Sequence, residues 1–298
     1  MKFASKIHAP LVIRVAAWGA GTGAVALAWA LTRDRPSWVV MLAVAATEWL
    51  ALKLASLTGF ASKAEWRRVV GYLVAWPGMN ARAFFATPRA PRPPLHEAVW
   101  AVGKMFLGFM LTAWALRHAR DERELLVAWV AVIGVLFVLH FGGFHVGSVV
   151  WRTAGVDAPP IMRAPMAATS LSELWGARWN LAFADAARRF VLKPLARVAG
   201  ARVAGIAVFA VSGLVHESVV SLPARGGWGG PTLYFLLQGA GTAVERSAWG
   251  DRCGLGRSGL GRLWTMIVAV APLPLLFHAP FAHNVIVPLC REAAAFLP

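Results

Sequence analysis

The run LLVAWVAVIGVLFVLHFGGFHVGSVV, from Leu125 to Val150, decides the fold class. A helix needs about 20 mostly apolar residues to cross a bilayer, and this run exceeds that length. Outward from it, further apolar runs occupy Leu11–Leu31, Trp38–Leu57, Val69–Phe85, Ala98–Leu116, Val203–Leu222, Thr232–Val244 and Trp264–Phe281. Val69–Phe85 and Thr232–Val244 are short, so the expected number of spans is about eight. Trp38, Trp66, Trp151 and Trp264 sit near run ends, where an aromatic belt would meet the headgroups. The predicted architecture is all-α, a multi-pass transmembrane helical bundle, with residues 1–298 forming a single integral membrane domain.

Composition agrees. Of the 298 residues, 58% belong to the AVILMFWYC set and only 15% are charged, against about 25% charged in ordinary globular chains. This excludes a disordered or collagenous chain. The formal net charge is +16, but the basic residues lie in short clusters between apolar runs. That pattern suits anionic lipid headgroups and argues against nucleic acid as a partner. Cys253 and Cys290 form neither a CxxC pair nor a zinc spacing, so a disulfide framework is excluded. Met1–Lys6 leads into Leu11–Leu31 with no small-x-small cleavage site at its end, so the run reads as a first transmembrane helix.

Between Arg152 and Arg202 lies the one long non-spanning region. Ser170-Leu171-Ser172-Glu173 matches a capping box and predicts a helix start. Pro194 predicts its end. On a helical wheel Trp175, Trp179, Ala182, Phe183, Ala186 and Phe190 share a face opposite Arg178, Asp185 and Arg189, as in an amphipathic interfacial helix. The arginines of this region outnumber those of Pro223–Pro231, which places it on the cytoplasmic side.

Several motif matches carry little chemistry. Gly254-Leu255-Gly256-Arg257-Ser258-Gly259 spells GxGxxG, but neither strand nor βαβ unit surrounds it. Gly19-x-x-x-Gly23 and Gly143-x-x-x-Gly147 are spacings for close helix packing. His140/His145 and His278/His283 are each five apart, whereas a shared metal face on a helix needs three or four. No metal and no dissociable cofactor is expected.

Two places stand out. His216 lies roughly 20 Å along the span that begins at Val203, at a depth where ionisable groups usually face a polar cavity. Gly213 leaves space beside the ring, and Ser212, four residues back, is placed to hydrogen-bond it. A neutral imidazole there is able to accept a proton. An interhelical structural histidine fits the same residues equally well. The second place is Trp175-Gly176-Ala177-Arg178-Trp179-Asn180, at the start of the interfacial helix. Arg178 offers a fork for a phosphate or carboxylate, and Asn180 offers amide donors and an acceptor. From the residues alone, an anchored interface helix with Arg178 on headgroups is the better reading.

Ser170–Phe183, SLSELWGARWNLAF, followed by Val211–Ser218, VSGLVHES, resembles the wax synthase branch of the membrane-bound O-acyltransferase family in order and spacing. WPGMNARAFF (Trp76–Phe85), DAPPIMRAP (Asp157–Pro165) and FHAPFAHNVIVP (Phe277–Pro288) add to the resemblance, with the catalytic core expected over 157–246. It implies a bundle enclosing a reaction chamber, and transfer of a long-chain acyl group from acyl-CoA, as donor substrate, to a fatty alcohol. Diacylglycerol or a sterol is an alternative acceptor. His216 falls on the family's intramembrane histidine and Asn180 on the asparagine of its WGxRWN block, and the resemblance implies these as the catalytic pair. Trp175, Arg178, Trp179, Ser212 and Glu217 are the expected substrate-contacting residues. Ala177 replaces a basic residue often present in the first block, and Asn80 stands where Asp is expected. A transporter relaying protons through His216 and Glu217 is the rival of a different class, but the repeated halves it would need are not visible.

Overall fold

The computed structural model describes residues 11–57, 65–86, 90–257 and 259–296. Met1–Lys6 and Ser258, which entered the sequence reading, lie outside the described residues. All regular structure among the described residues is helical. The longer helices are α1 (Leu11–Thr32), α2 (Ser37–Leu57), α3 (Trp66–Ala75), α4 (Leu95–Arg117), α5 (Glu124–Thr153), α6 (Leu181–Ala224), α7 (Gly230–Glu245), α8 (Gly259–Leu276) and α9 (Val287–Ala294). Of these, α2, α4, α5, α6 and α8 are long and apolar enough to cross a membrane. Large apolar side chains such as Trp100, Phe106, Leu214 and Ile267 stand exposed on them. With lipid as the solvent, such faces need no further protein cover. The chain is a multi-pass integral membrane protein.

Where apolar burial does not discriminate between protein and lipid, close backbone packing holds helices together. Between α4 and α5 a Cβ added at Gly108 would lie 2.5 Å from the Val138 nitrogen, and one at Gly142 would lie 2.6 Å from the Met105 Cα. The expected packing glycines are not the ones used. A Cβ at Gly19, Gly23 or Gly147 would meet nothing within 4 Å. Spacing alone does not say which face of a helix meets its neighbour.

Val69–Phe85 does not form one helix. α3 ends at Ala75, and Asn80 caps a short turn, Ala81–Phe84, by accepting from the Ala83 N–H at 3.1 Å. Tyr72, Trp76, Phe84, Ala158, Ala182 and Ala186 share one buried cluster. The WPGMN and DAPPIM segments therefore pack together against the start of α6.

The single amphipathic helix expected from Ser170 to Pro194 is replaced by two helical pieces. The Ser170 hydroxyl does cap, accepting from the Glu173 N–H at 2.9 Å. The helix then widens into a π-type turn, Leu174–Arg178, and stops. Trp179 is extended and Asn180 is left-handed at φ 40°. The cause is tertiary. The Arg163 N–H donates to the Arg178 carbonyl at 2.8 Å, and the Leu181 N–H donates to the Ile161 carbonyl at 2.9 Å. The DAPPIMRAP loop thus takes up backbone groups that a continuous helix would have paired internally. Asn tolerates the left-handed conformation, and its side chain restarts the helix by accepting from the Phe183 N–H at 3.3 Å.

Pro194 does not end that second piece. It follows another π-type turn, Arg188–Leu192, and sits in the first turn of the segment that continues from Lys193. A wider turn leaves room for the proline ring, and an N–H missing there costs little. The break comes at Gly200, with φ 82° and ψ 162°, a conformation open to glycine and strained for other residues.

Candidate active site

His216 lies on α6 just before a π-type turn, Glu217–Ser221. Its Nδ1 is 2.7 Å from the Ser212 backbone oxygen. A carbonyl oxygen only accepts, so Nδ1 carries the proton and donates, and Nε2 keeps its lone pair. The expected partner residue is right, but the atom differs. The Ser212 hydroxyl instead donates to the Val208 carbonyl at 2.9 Å, the usual back-bond of a helical serine.

The half-buried imidazole is enclosed by aromatic rings. Phe235 of α7 lies 4.5 Å away between centroids and Phe183 of α6 lies 6.4 Å away. Phe235 in turn packs on Trp175 at 5.8 Å, and Trp175 packs edge-on against Trp179 at 6.3 Å and Phe209 at 6.4 Å. Trp179 meets Phe141 at 5.8 Å. The two motifs, remote in sequence, therefore share one aromatic wall. Asn180 reaches the same patch through Phe183, whose backbone it caps and whose ring faces His216. The cap uses the Asn180 carbonyl oxygen and leaves its NH2 as a donor.

Gly213 does not open space at the ring. A Cβ there would lie 2.7 Å from the Thr232 Cα, so the glycine lets α7 approach α6. Glu217 is turned to the same place. Its Oε1 accepts from the Thr232 N–H at 3.1 Å and from the Thr232 hydroxyl at 2.9 Å, which caps the N-terminus of α7.

Arg178 is committed to the protein. Its Nε donates to Glu173 at 2.7 Å, and Nη1 donates to the Arg163 and Ala164 carbonyls at 3.2 and 3.3 Å. The Glu173 carboxyl is held below its usual range, first by the Thr169 N–H and then by Arg178.

Sequence reasoning missed the residues of α7 that join the two motifs. Gln238 is fully buried, accepts from the Trp175 indole N–H at 3.3 Å and donates to the Val268 carbonyl at 2.7 Å. Glu245 accepts from the Leu171 N–H at 2.6 Å, so it caps the piece that carries Trp175. Thr232, Phe235, Gln238 and Glu245 fall at helical spacing on one face, a pattern visible in sequence only once the facing helices are known. Also missed was Lys53, fully buried on α2, which donates to the Gly78 carbonyl at 2.7 Å and stands 3.3 Å above the Tyr72 ring.

Residues 158–237 match the model of the Membrane bound O-acyl transferase family. The chain is 32% identical over 203 residues to the probable long-chain-alcohol O-fatty-acyltransferase 9 of Arabidopsis thaliana, covering 63% of this chain and 59% of the relative. It is 38% identical over 130 residues to the long-chain-alcohol O-fatty-acyltransferase of Simmondsia chinensis, covering 38% of this chain and 37% of the relative. The acyl-CoA–sterol O-acyltransferase 1 of Arabidopsis thaliana is 25% identical over 174 residues, covering 53% of this chain and 50% of the relative. The chain thus spans well under two thirds of the length of these curated relatives. Within the matched segment, which contains both motifs, the chain is similar to the Membrane bound O-acyl transferase family and to long-chain-alcohol O-fatty-acyltransferases.

Proposed function

We propose that the chain transfers a long-chain acyl group from acyl-CoA to the hydroxyl of a long-chain alcohol, giving a wax ester and free coenzyme A. The observation that carries this reading is the imidazole of His216. Its Nδ1–H is tied to the Ser212 carbonyl, so its free Nε2 is the proton acceptor, inside a wall of apolar rings built by both motifs. Nε2 takes the alcohol proton as the oxygen attacks the thioester carbonyl. The tetrahedral oxyanion accepts a hydrogen bond from the Asn180 NH2. Collapse breaks the C–S bond, and the departing thiolate takes the proton back from the imidazolium. Apolar surroundings suit both long chains and limit hydrolysis of the thioester. No metal enters these steps.

The test is an assay of the purified protein, in detergent or nanodiscs, with labelled long-chain acyl-CoA and a panel of acceptors. Long-chain alcohols, a sterol and diacylglycerol are compared. Labelled wax ester as the main product supports the reading. Preferential labelling of the sterol or diacylglycerol keeps the chemistry and replaces the acceptor. No transfer to any hydroxyl overturns it.

A further inference from the structure

Gly213, His216 and Glu217 follow one another at i, i+3 and i+4, so they share one face of α6. That face meets the first turn of α7. Thr232 is held from two sides, since Gly213 admits its Cα and Glu217 accepts from both its N–H and its hydroxyl. One turn further along α7, Phe235 lies against the imidazole. Only one carboxylate oxygen takes part. Glu217 Oε2 is buried and makes no hydrogen bond.

We propose that Glu217 is a positioning residue, whose clamp on Thr232 fixes the start of α7 and so seats Phe235 against His216, holding the imidazole in its reacting orientation. This differs from contact with substrate and from a proton relay. Those roles need the charge or the titrating proton, whereas the clamp needs only an acceptor oxygen of the right reach. Gln supplies that oxygen and Ala does not. The inference rests on the acyltransfer reading for its rate measurements, but the packing of α7 on His216 has a readout of its own.

The experiment uses the full chain in nanodiscs, with wild type, Glu217→Ala, Glu217→Gln, Thr232→Val and Phe235→Ala. Acyl transfer to a long-chain alcohol yields kcat and both KM values. The rate of carbethoxylation of His216 by diethyl pyrocarbonate, read by mass spectrometry, reports access to the ring without requiring turnover. Glu217→Ala is expected to lower kcat by about 10²-fold, the scale of a displacement of about 1 Å, with both KM values little changed. His216 should then be modified faster. Glu217→Gln is expected to recover most of the lost rate and to restore the slow modification. Thr232→Val keeps the backbone half of the clamp and should fall between them. Combining Glu217→Ala with Phe235→Ala should cost no more than Phe235→Ala alone, because both act through the same ring.

Glu217→Gln as inactive as Glu217→Ala, with His216 modified at the wild-type rate in both, overturns the clamp and points to a role for the charge. Additive losses in the double variant overturn the route through Phe235. If Glu217→Ala fails to fold, the Gln and Thr232→Val variants still decide. If wild type transfers no acyl group, the proposed function fails, and the modification rates alone decide whether the clamp orders the ring.

Discussion

The chemistry concentrates in single atoms. His216 offers one free nitrogen because the other is spent on the Ser212 carbonyl. His216→Ala should therefore lower kcat by at least about 10²-fold with normal expression and an unchanged elution profile. Retention of most of the turnover would return His216 to a structural role between helices. Asn180 combines two demands, a left-handed backbone and a capping oxygen. Asp meets both, since it tolerates that conformation and caps a helix. Asn180→Asp should accordingly melt close to wild type while losing about 10²–10³-fold in kcat, because it lacks the NH2 proposed to donate to the oxyanion. Wild-type turnover in that variant would confine Asn180 to its cap. Both residues were marked in the sequence as candidates, and the Ser170 cap was legible there. The conformation of Asn180 was not, because it arises from the loop at Ile161–Ala164.

At the scale of elements, the WGARWN block is a junction rather than part of a continuous helix. Arg178 ties the DAPPIMRAP loop to it, and Glu173 holds Arg178 at 2.6 Å. Arg178→Ala should loosen the loop and shift the KM values of acyl-CoA and alcohol together, while a rise confined to acyl-CoA would mark a phosphate contact instead. Exposed ion pairs are worth about 0.2–1 kcal/mol, so Arg178→Ala should cost more than Glu173→Gln because it also frees two carbonyls. The pH dependence follows from Glu173. Its folded carboxyl titrates below the ordinary carboxylate range, so its contribution is complete above that range and is lost as pH falls through the lowered value. Thermal melts should show a smaller loss of Tm below about pH 4 in Glu173→Gln than in wild type. Equal acid losses would show that this pair contributes nothing to stability.

Over the whole molecule, the apolar exterior sets the solvent. Trp100 and Phe106 on α4, Leu214 on α6 and Ile267 on α8 are exposed, and no aqueous surface would tolerate such coverage. The protein should stay in the membrane pellet through an alkaline carbonate wash and leave it only with detergent. Release by carbonate would contradict the spans. Several charged side chains within this shell are tied to protein atoms. Lys53 bonds to Gly78, and Glu97 is shared by His145 and Arg152. Such groups are costly inside a bilayer unless paired, and they join helices that apolar packing alone does not order.

Sequence alone determined the helical class and the membrane setting, because each follows from the length of apolar runs, and it marked His216 and the two motifs as candidates through their resemblance to a known family. The tertiary structure decided the rest. Helix breaks at Trp179–Asn180 and Gly200, the choice of Gly108 and Gly142 over Gly19 and Gly147 for packing, and the turning of Glu217 to Thr232 all depend on which neighbour faces each residue. α7 is the clearest case. Its Thr232, Phe235, Gln238 and Glu245 carry no local signature, yet they bind one motif to the other, because a helix face acquires meaning only from the surfaces packed against it.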